Sequence, residues 1–109
     1  MNILIVEDDK NVSEFIEFVV DSVGYTSHIC NTGFKAKEYY ISNNVDLVIL
    51  DGSLPDCSGL QLFRTIRKID TNQKILICSG NLTQFDELKD ESNLIMLNKP
   101  CSFGDIKNQ

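Results

Sequence analysis

A chain of 109 residues is a single small domain, long enough for a core and too short for two. Apolar residues make up 42% and charged residues 24%, the proportions of an ordinary globular chain. The 10 basic and 16 acidic residues leave a net charge of −6, which argues against a large nucleic-acid surface in this segment.

Ile3–Val6 is a short apolar run and reads as the first strand. Val12, Phe15, Ile16, Val19, Val20 and Val23 then form a helical stripe, with Asp9 or Asn11 as N-cap and Gly24 as the stop. Tyr25–Ile29 reads as the second strand, and Phe34–Ile41 as a weaker helix opened by Asn31 or Thr32. Asp46–Leu50 is the third strand, and Leu60, Phe63 and Ile66 mark the third helix. Lys74–Cys78 is the fourth strand; Leu82, Phe85 and Leu88 mark a short fourth helix. Leu94–Leu97 is the fifth strand, and a last helix starts near Ser102. Only Ser102–Gln109 remain for it, which predicts a short helix or a chain cut within it.

This alternation predicts an α/β fold spanning residues 1–109: a doubly wound, five-stranded parallel sheet. The near-continuous apolar strands suit a sheet covered on both faces. The default order for five such units is 2-1-3-4-5, the flavodoxin-like arrangement. No apolar run approaches the ~20 residues of a membrane span. "MNILIVEDD" is not a signal peptide, because its apolar stretch is short and acids follow it. Cys30, Cys57, Cys78 and Cys101 are scattered and form no C-x-x-C pair, so free thiols in a reducing cytoplasm are expected. The lone His28 leaves no zinc pattern, and it is expected at the surface at a strand end.

In this fold, ligands sit beyond the carboxyl ends of the strands. The first strand ends in Glu7, Asp8 and Asp9, the third in Asp51, the fourth in Ser79 and the fifth in Asn98 and Lys99. Clustered carboxylates call for a cation, and hard oxygen ligands suit Mg²⁺. A carboxylate can attack phosphorus to give an aspartyl phosphate. Such transfer needs mainly positioning and charge neutralisation. Lys99 offers a positive charge and the Ser79 hydroxyl can donate to a phosphoryl oxygen. Asp9 is expected only to cap the helix, and Asp46, at the far end of its strand, to be structural.

"ILIVEDD", "DLVILDGSLPDCSG", "ILICSG" and "LNKP" together resemble, in order, the four motifs of the receiver domain of bacterial two-component response regulators, of the chemotaxis-receiver type. The resemblance covers essentially the whole chain. It implies that Asp51 is the phosphoacceptor and that Glu7 and Asp8, with Asp51 and the backbone carbonyl of Ser53, hold Mg²⁺, with Mn²⁺ as a substitute. It implies Ser79 as the switch hydroxyl and Lys99 as the phosphate-pairing lysine. The donor would be a sensor histidine kinase or a histidine phosphotransfer protein, and the recipient of the signal an output domain or downstream protein. On this reading the chain is a stoichiometric, cytoplasmic phosphoacceptor that promotes its own phosphorylation and dephosphorylation. It touches neither nucleic acid nor membrane itself.

The sequence departs from the family pattern in Leu54, where Met is usual, in "DESNL" before the fifth strand, and in Met96, where Tyr or Phe is common. Two other readings stay open. A phosphate-blind pseudo-receiver would act as a pure interaction module. A flavin carrier would need an amide-rich phosphate loop, whereas "EDDKN" would repel a phosphate.

Overall fold

The computed structural model describes residues 1–51, 54–80, 85–86, 88 and 91–98, with the backbone alone at 97–98. Its elements are β1 (Asn2–Val6), α1 (Lys10–Ser22), β2 (Thr26–Cys30), α2 (Gly33–Ser42), β3 (Leu47–Asp51), α3 (Gly59–Ile69), β4 (Ile75–Ser79) and β5 (Leu94–Asn98). All strand pairs are parallel, and the order is β2-β1-β3-β4-β5, as the alternation predicts.

Strand parity sorts the core into two layers, because successive side chains face opposite sides of a sheet. Ile3, Ile5, Leu47, Ile49 and Leu76 pack on Ile16, Val19 and Val20 of α1. Leu4, Val6, Val48, Leu50, Ile75 and Ile77 pack on the other side, against Ala36 and Tyr40 of α2 and Leu62, Phe63 and Ile66 of α3. Phe85 and Leu88 are buried in this second layer, while Leu82 and the expected last helix lie outside the described residues. Each fully buried aliphatic side chain contributes about 1.5–3 kcal/mol, so the two layers together hold the strands in register.

The helix ends follow local rules. Asp9 caps α1, its Oδ1 accepting from Asn11 N at 2.9 Å and Val12 N at 3.2 Å. Thr32 caps α2 through Lys35 N at 3.1 Å. Ser58 opens α3 with a reciprocal pair: its hydroxyl accepts from Gln61 N, and its N–H donates to Gln61 Oε1, both at 3.1 Å. Beyond α1, Gly24 takes φ +85°, which a side chain would resist.

Far from the strand exits, the Tyr40 hydroxyl donates to Gln73 Oε1 at 2.8 Å in a buried bond. Arg67 donates to the carbonyls of Gln73, Ser92 and Asn93 and lies over the Phe63 ring, 4.9 Å from its centroid. Asp46 bonds Asn2 through both its backbone N–H and its carboxylate, at 2.8 and 2.7 Å, which makes it structural.

Some expectations need correction. Strands two, three and four each sit one residue later than the apolar runs suggest, so Cys30, Asp51 and Ser79 are the last residues of their strands. His28 is exposed, as expected, but lies mid-strand in β2 and stacks on Tyr39, ring centroids 4.0 Å apart. Leu60 is only half-buried, and Leu62 takes the core place, because α3 starts at Gly59. Cys30 and Cys57 are free thiols, but Cys78 is disulfide-bonded, contrary to the expectation of free thiols throughout. Cys101 lies outside the described residues.

Candidate functional site

The parity of β1 and β3 builds the site. Val6 pairs with Leu50, so Glu7 and Asp51 follow at the same level of the sheet. Glu7 is 3% exposed and Asp51 7%. The Asp9 cap turns the chain sharply out of β1, and Asp9 N donates to Glu7 Oε2 at 3.3 Å. That turn leaves Asp8 exposed at the mouth. One carboxylate oxygen each from Glu7, Asp8 and Asp51 lies within 4.8 Å of the others, a group able to hold a metal ion. Three negative charges this close disfavour one another unless a cation stands between them.

A cleft of about 340 Å³ opens beside Glu7 and Asp8, and Glu14, Glu17 and Asn31 share its lining. Lys10, the one base among its described lining residues, pairs with Glu14 at 3.9 Å. Both side chains are exposed, so this pair neutralises little. The cleft therefore attracts cations.

Asp51 pairs across the sheet with Cys78, and Ser79 is the next residue of β4. The Ser79 side chain is 4% exposed, and it belongs to the strand beside the acidic group. Met96 pairs with Ile77 and packs, half-buried, against the layer under α2 and α3. The structure thus unites Glu7, Asp8 and Asp51 and sets Ser79 on the adjoining strand. Ser53 and Lys99 lie outside the described residues.

The loop after β3 is fixed where it is described. Leu54 is buried, and its N–H donates to the Cys57 carbonyl at 3.2 Å. Asp56 reaches across to α2, its carboxylate accepting from Gly33 N at 2.7 Å and Phe34 N at 2.9 Å. These bonds hold the Asp56 carboxyl below the usual carboxylate range. Burial, and then the Asp56 charge, push the Cys57 thiol up, so it stays protonated. Sequence reasoning passed over Asp56, because its partners lie 22 and 23 residues away. Glu14 and Glu17 were also missed. Their spacing from Lys10 on one helical face, just after the acidic turn, was the available signal.

The response regulator receiver domain model matches residues 3–109. Response regulator ArlR of Staphylococcus epidermidis is 40% identical over 82 residues, 75% of this chain and 37% of that protein. The cell cycle transcriptional regulator CtrA of Caulobacter vibrioides is 33% identical over 81 residues, 74% of this chain and 35% of that protein. The chain thus spans little more than a third of the length of these curated relatives. The crystal structure of response regulator protein TrrA from Thermotoga maritima, in complex with Mg²⁺-BeF, is 28% identical. It aligns with a TM-score of 0.86 over 98% of this chain and 93% of that one. A match along nearly the whole sequence and a five-stranded sheet in the same order lead to one conclusion: the chain belongs to the response regulator receiver domain family.

Proposed function

We propose that this receiver works by phosphorylation of Asp51, and that the phosphorylated form signals to an output domain or a downstream protein. The observation that carries the reading is the Glu7–Asp8–Asp51 group at the carboxyl ends of β1 and β3. Its all-oxygen donors fit Mg²⁺, which favours one or two carboxylates with waters and a phosphate oxygen. Glu7, Asp8 and Asp51 would hold the ion, with the Ser53 carbonyl as a further donor, and Mn²⁺ would substitute. When bound, Mg²⁺ neutralises the carboxylates and the phosphoryl oxygens. The Mg²⁺-BeF complex of the TrrA relative is in keeping with that assignment.

The Asp51 carboxylate oxygen attacks phosphorus. As the new O–P bond forms, the bond from phosphorus to the donor nitrogen of a phosphohistidine, or to the oxygen of an acyl phosphate, breaks. The donor leaves with the electron pair, and Asp51 becomes an acyl phosphate. Ser79 donates its hydroxyl to a phosphoryl oxygen, and Lys99 pairs with another. The donor protein would be a histidine kinase or a phosphotransfer protein in the cytoplasm. The chain is a stoichiometric acceptor and not a turnover enzyme for another substrate.

Incubation with acetyl phosphate and Mg²⁺, followed by intact mass measurement, tests this. One hydroxylamine-labile phosphoryl group is expected on the wild type and none on Asp51→Asn. Labelling that survives in Asp51→Asn would reject the assignment, and an unlabelled wild type would favour a pseudo-receiver.

A further inference from the structure

The acidic turn between β1 and α1 is pinned on both sides of Asp8. On one side Glu7 N donates to the Cys30 carbonyl at 3.0 Å, a further rung beyond the paired residues Val6 and Cys30. On the other side Asp9 starts α1. The first N–H groups of a helix have no partner within it, and Asp9 Oδ1 takes two of them, those of Asn11 and Val12. The Asp9 carbonyl accepts from Ser13 N at 2.9 Å, the first bond of the helix ladder. Asp9 itself is extended, with φ −80° and ψ 116°, so the chain changes direction at this residue. From there its N–H donates to Glu7 Oε2 at 3.3 Å. The helix behind it is fixed on the sheet through Ile16, Val19 and Val20. Asp9 thus joins a packed helix to one carboxylate of the acidic group, and Asp8 lies between the two fixed points.

We infer that Asp9 is a positioning residue for the cation site: its side-chain cap sets the turn that holds the Glu7 carboxylate and presents Asp8 beside it. This rests on the proposed function, which assigns Mg²⁺ to these carboxylates. The group able to hold the ion is Glu7, Asp8 and Asp51, without Asp9. Oδ1 of Asp9 is engaged by the two helix amides, so its side chain acts through the turn and not as a ligand. Without the cap, the amides of Asn11 and Val12 lose their acceptor and the first turn of α1 loosens. The Asp9 N–H is then no longer held against Glu7. Ordering the turn falls to the arriving ion, which binds more weakly for the conformational freedom it must remove. Asp9 also carries a negative charge next to Asp8, and a substitution that keeps the cap but not the charge separates the two effects.

The test is Mg²⁺ titration by calorimetry on the full 109-residue chain. Asp9→Ala should weaken Mg²⁺ binding roughly tenfold, the lower end of the range for outer-shell partners of a metal. Asp9→Asn keeps a capping acceptor of equal rank and loses only the charge, so it should bind Mg²⁺ clearly more tightly than Asp9→Ala. Asp9→Gly is tolerated at a helix start but offers no side-chain acceptor. It should weaken binding as alanine does, and it serves as the test if the alanine variant does not fold. Thr32→Ala removes the side-chain cap of α2 and should leave Mg²⁺ affinity at the wild-type value. Thermal melts confirm that each variant is folded. Wild-type affinity in Asp9→Ala, or in Asp9→Gly where it stands in, overturns the positioning role. So does an Asp9→Asn as weak as Asp9→Ala, which would assign the effect to charge, or a Thr32→Ala as weak, which would assign it to lost stability. A wild type that binds no Mg²⁺ overturns the proposed function and the positioning role together.

Discussion

Glu7, the residue after β1, and Asp51, the last of β3, are both buried, and their carboxylates share one small space with that of Asp8. Strand register brings Glu7 and Asp51 to one level of the sheet, and the turn at Asp9 adds Asp8. Carboxylates this close repel one another. At an effective dielectric of about 20, two unit charges 4.8 Å apart repel by about 3.5 kcal/mol.

That repulsion predicts a stability change of unusual sign. Asp51→Asn removes one charge from the group, so without Mg²⁺ it should raise the melting temperature by a few degrees. Roughly 1 kcal/mol corresponds to about 4–8 °C in a domain of this size. Saturating Mg²⁺ should stabilise the wild type more than the variant, by mass action, and reverse their order. Paired thermal scans with EDTA and with Mg²⁺ check this; an Asp51→Asn melt below wild type in EDTA would contradict it.

Acid titration should reveal how Asp56 holds α2. Its folded-state carboxyl lies below the usual value, held there by the amides of Gly33 and then Phe34. The stabilisation is thus fully present above the ordinary carboxylate value and is lost as pH falls through the depressed one. The Gly33 and Phe34 amide shifts should titrate below the usual Asp range, and Asp56→Asn should abolish that titration. Shifts that move at the ordinary Asp value would show that the bonds do not bias the carboxyl.

Tyr40→Phe should separate stability from chemistry. It leaves buried Gln73 Oε1 without its donor, a cost of about 1–3 kcal/mol. Chemical denaturation should show a lowered midpoint with an unchanged slope. Labelling by acetyl phosphate should persist at the wild-type rate, since this pair lies at the opposite end of the sheet from Asp51.

Met96 should narrow the conformational response. It packs half-buried beside Ile77 and has no ring to rotate. Beryllofluoride with Mg²⁺ should therefore shift the Ser79 amide strongly and the Ile95 and Met96 amides weakly. Equally large shifts at both places would show that Met96 transmits the change as an aromatic residue would.

The sequence made much of this architecture legible, because its strands announce themselves. Runs such as Ile3–Val6 and Ile75–Cys78 are apolar on both faces, as only a doubly covered sheet requires. Strand ends were harder to read. Asp51 and Ser79 are polar, so pattern reading stopped one residue early, although backbone pairing continues through both. The acidic group could be read because all its members follow apolar runs. The Asp56–Gly33 contact could not, because nothing local in "LPDCSG" or "NTGF" tells one loop that it meets the other. His28 misled for a related reason: on an edge strand with exposed positions, mid-strand and end residues look alike, and its stacking on Tyr39 comes only with the tertiary fold.

The three carbonyls gripped by Arg67 make the last turn of α3 a pivot. The helix is pinned there to the segments entering β4 and β5, while its first turn is attached to the loop that leaves Asp51. A push from the Asp51 side would therefore meet more resistance at the Arg67 end of α3 than at its Ser58 end. Arg67 lies eight helical steps beyond Gly59, about 12 Å of helix, so a tilt of about 5° would carry the Ser58 end roughly 1 Å. Small rearrangements near Asp51 would thus be turned into angular displacement of a whole surface helix, with the greatest travel at the end nearest the chemistry.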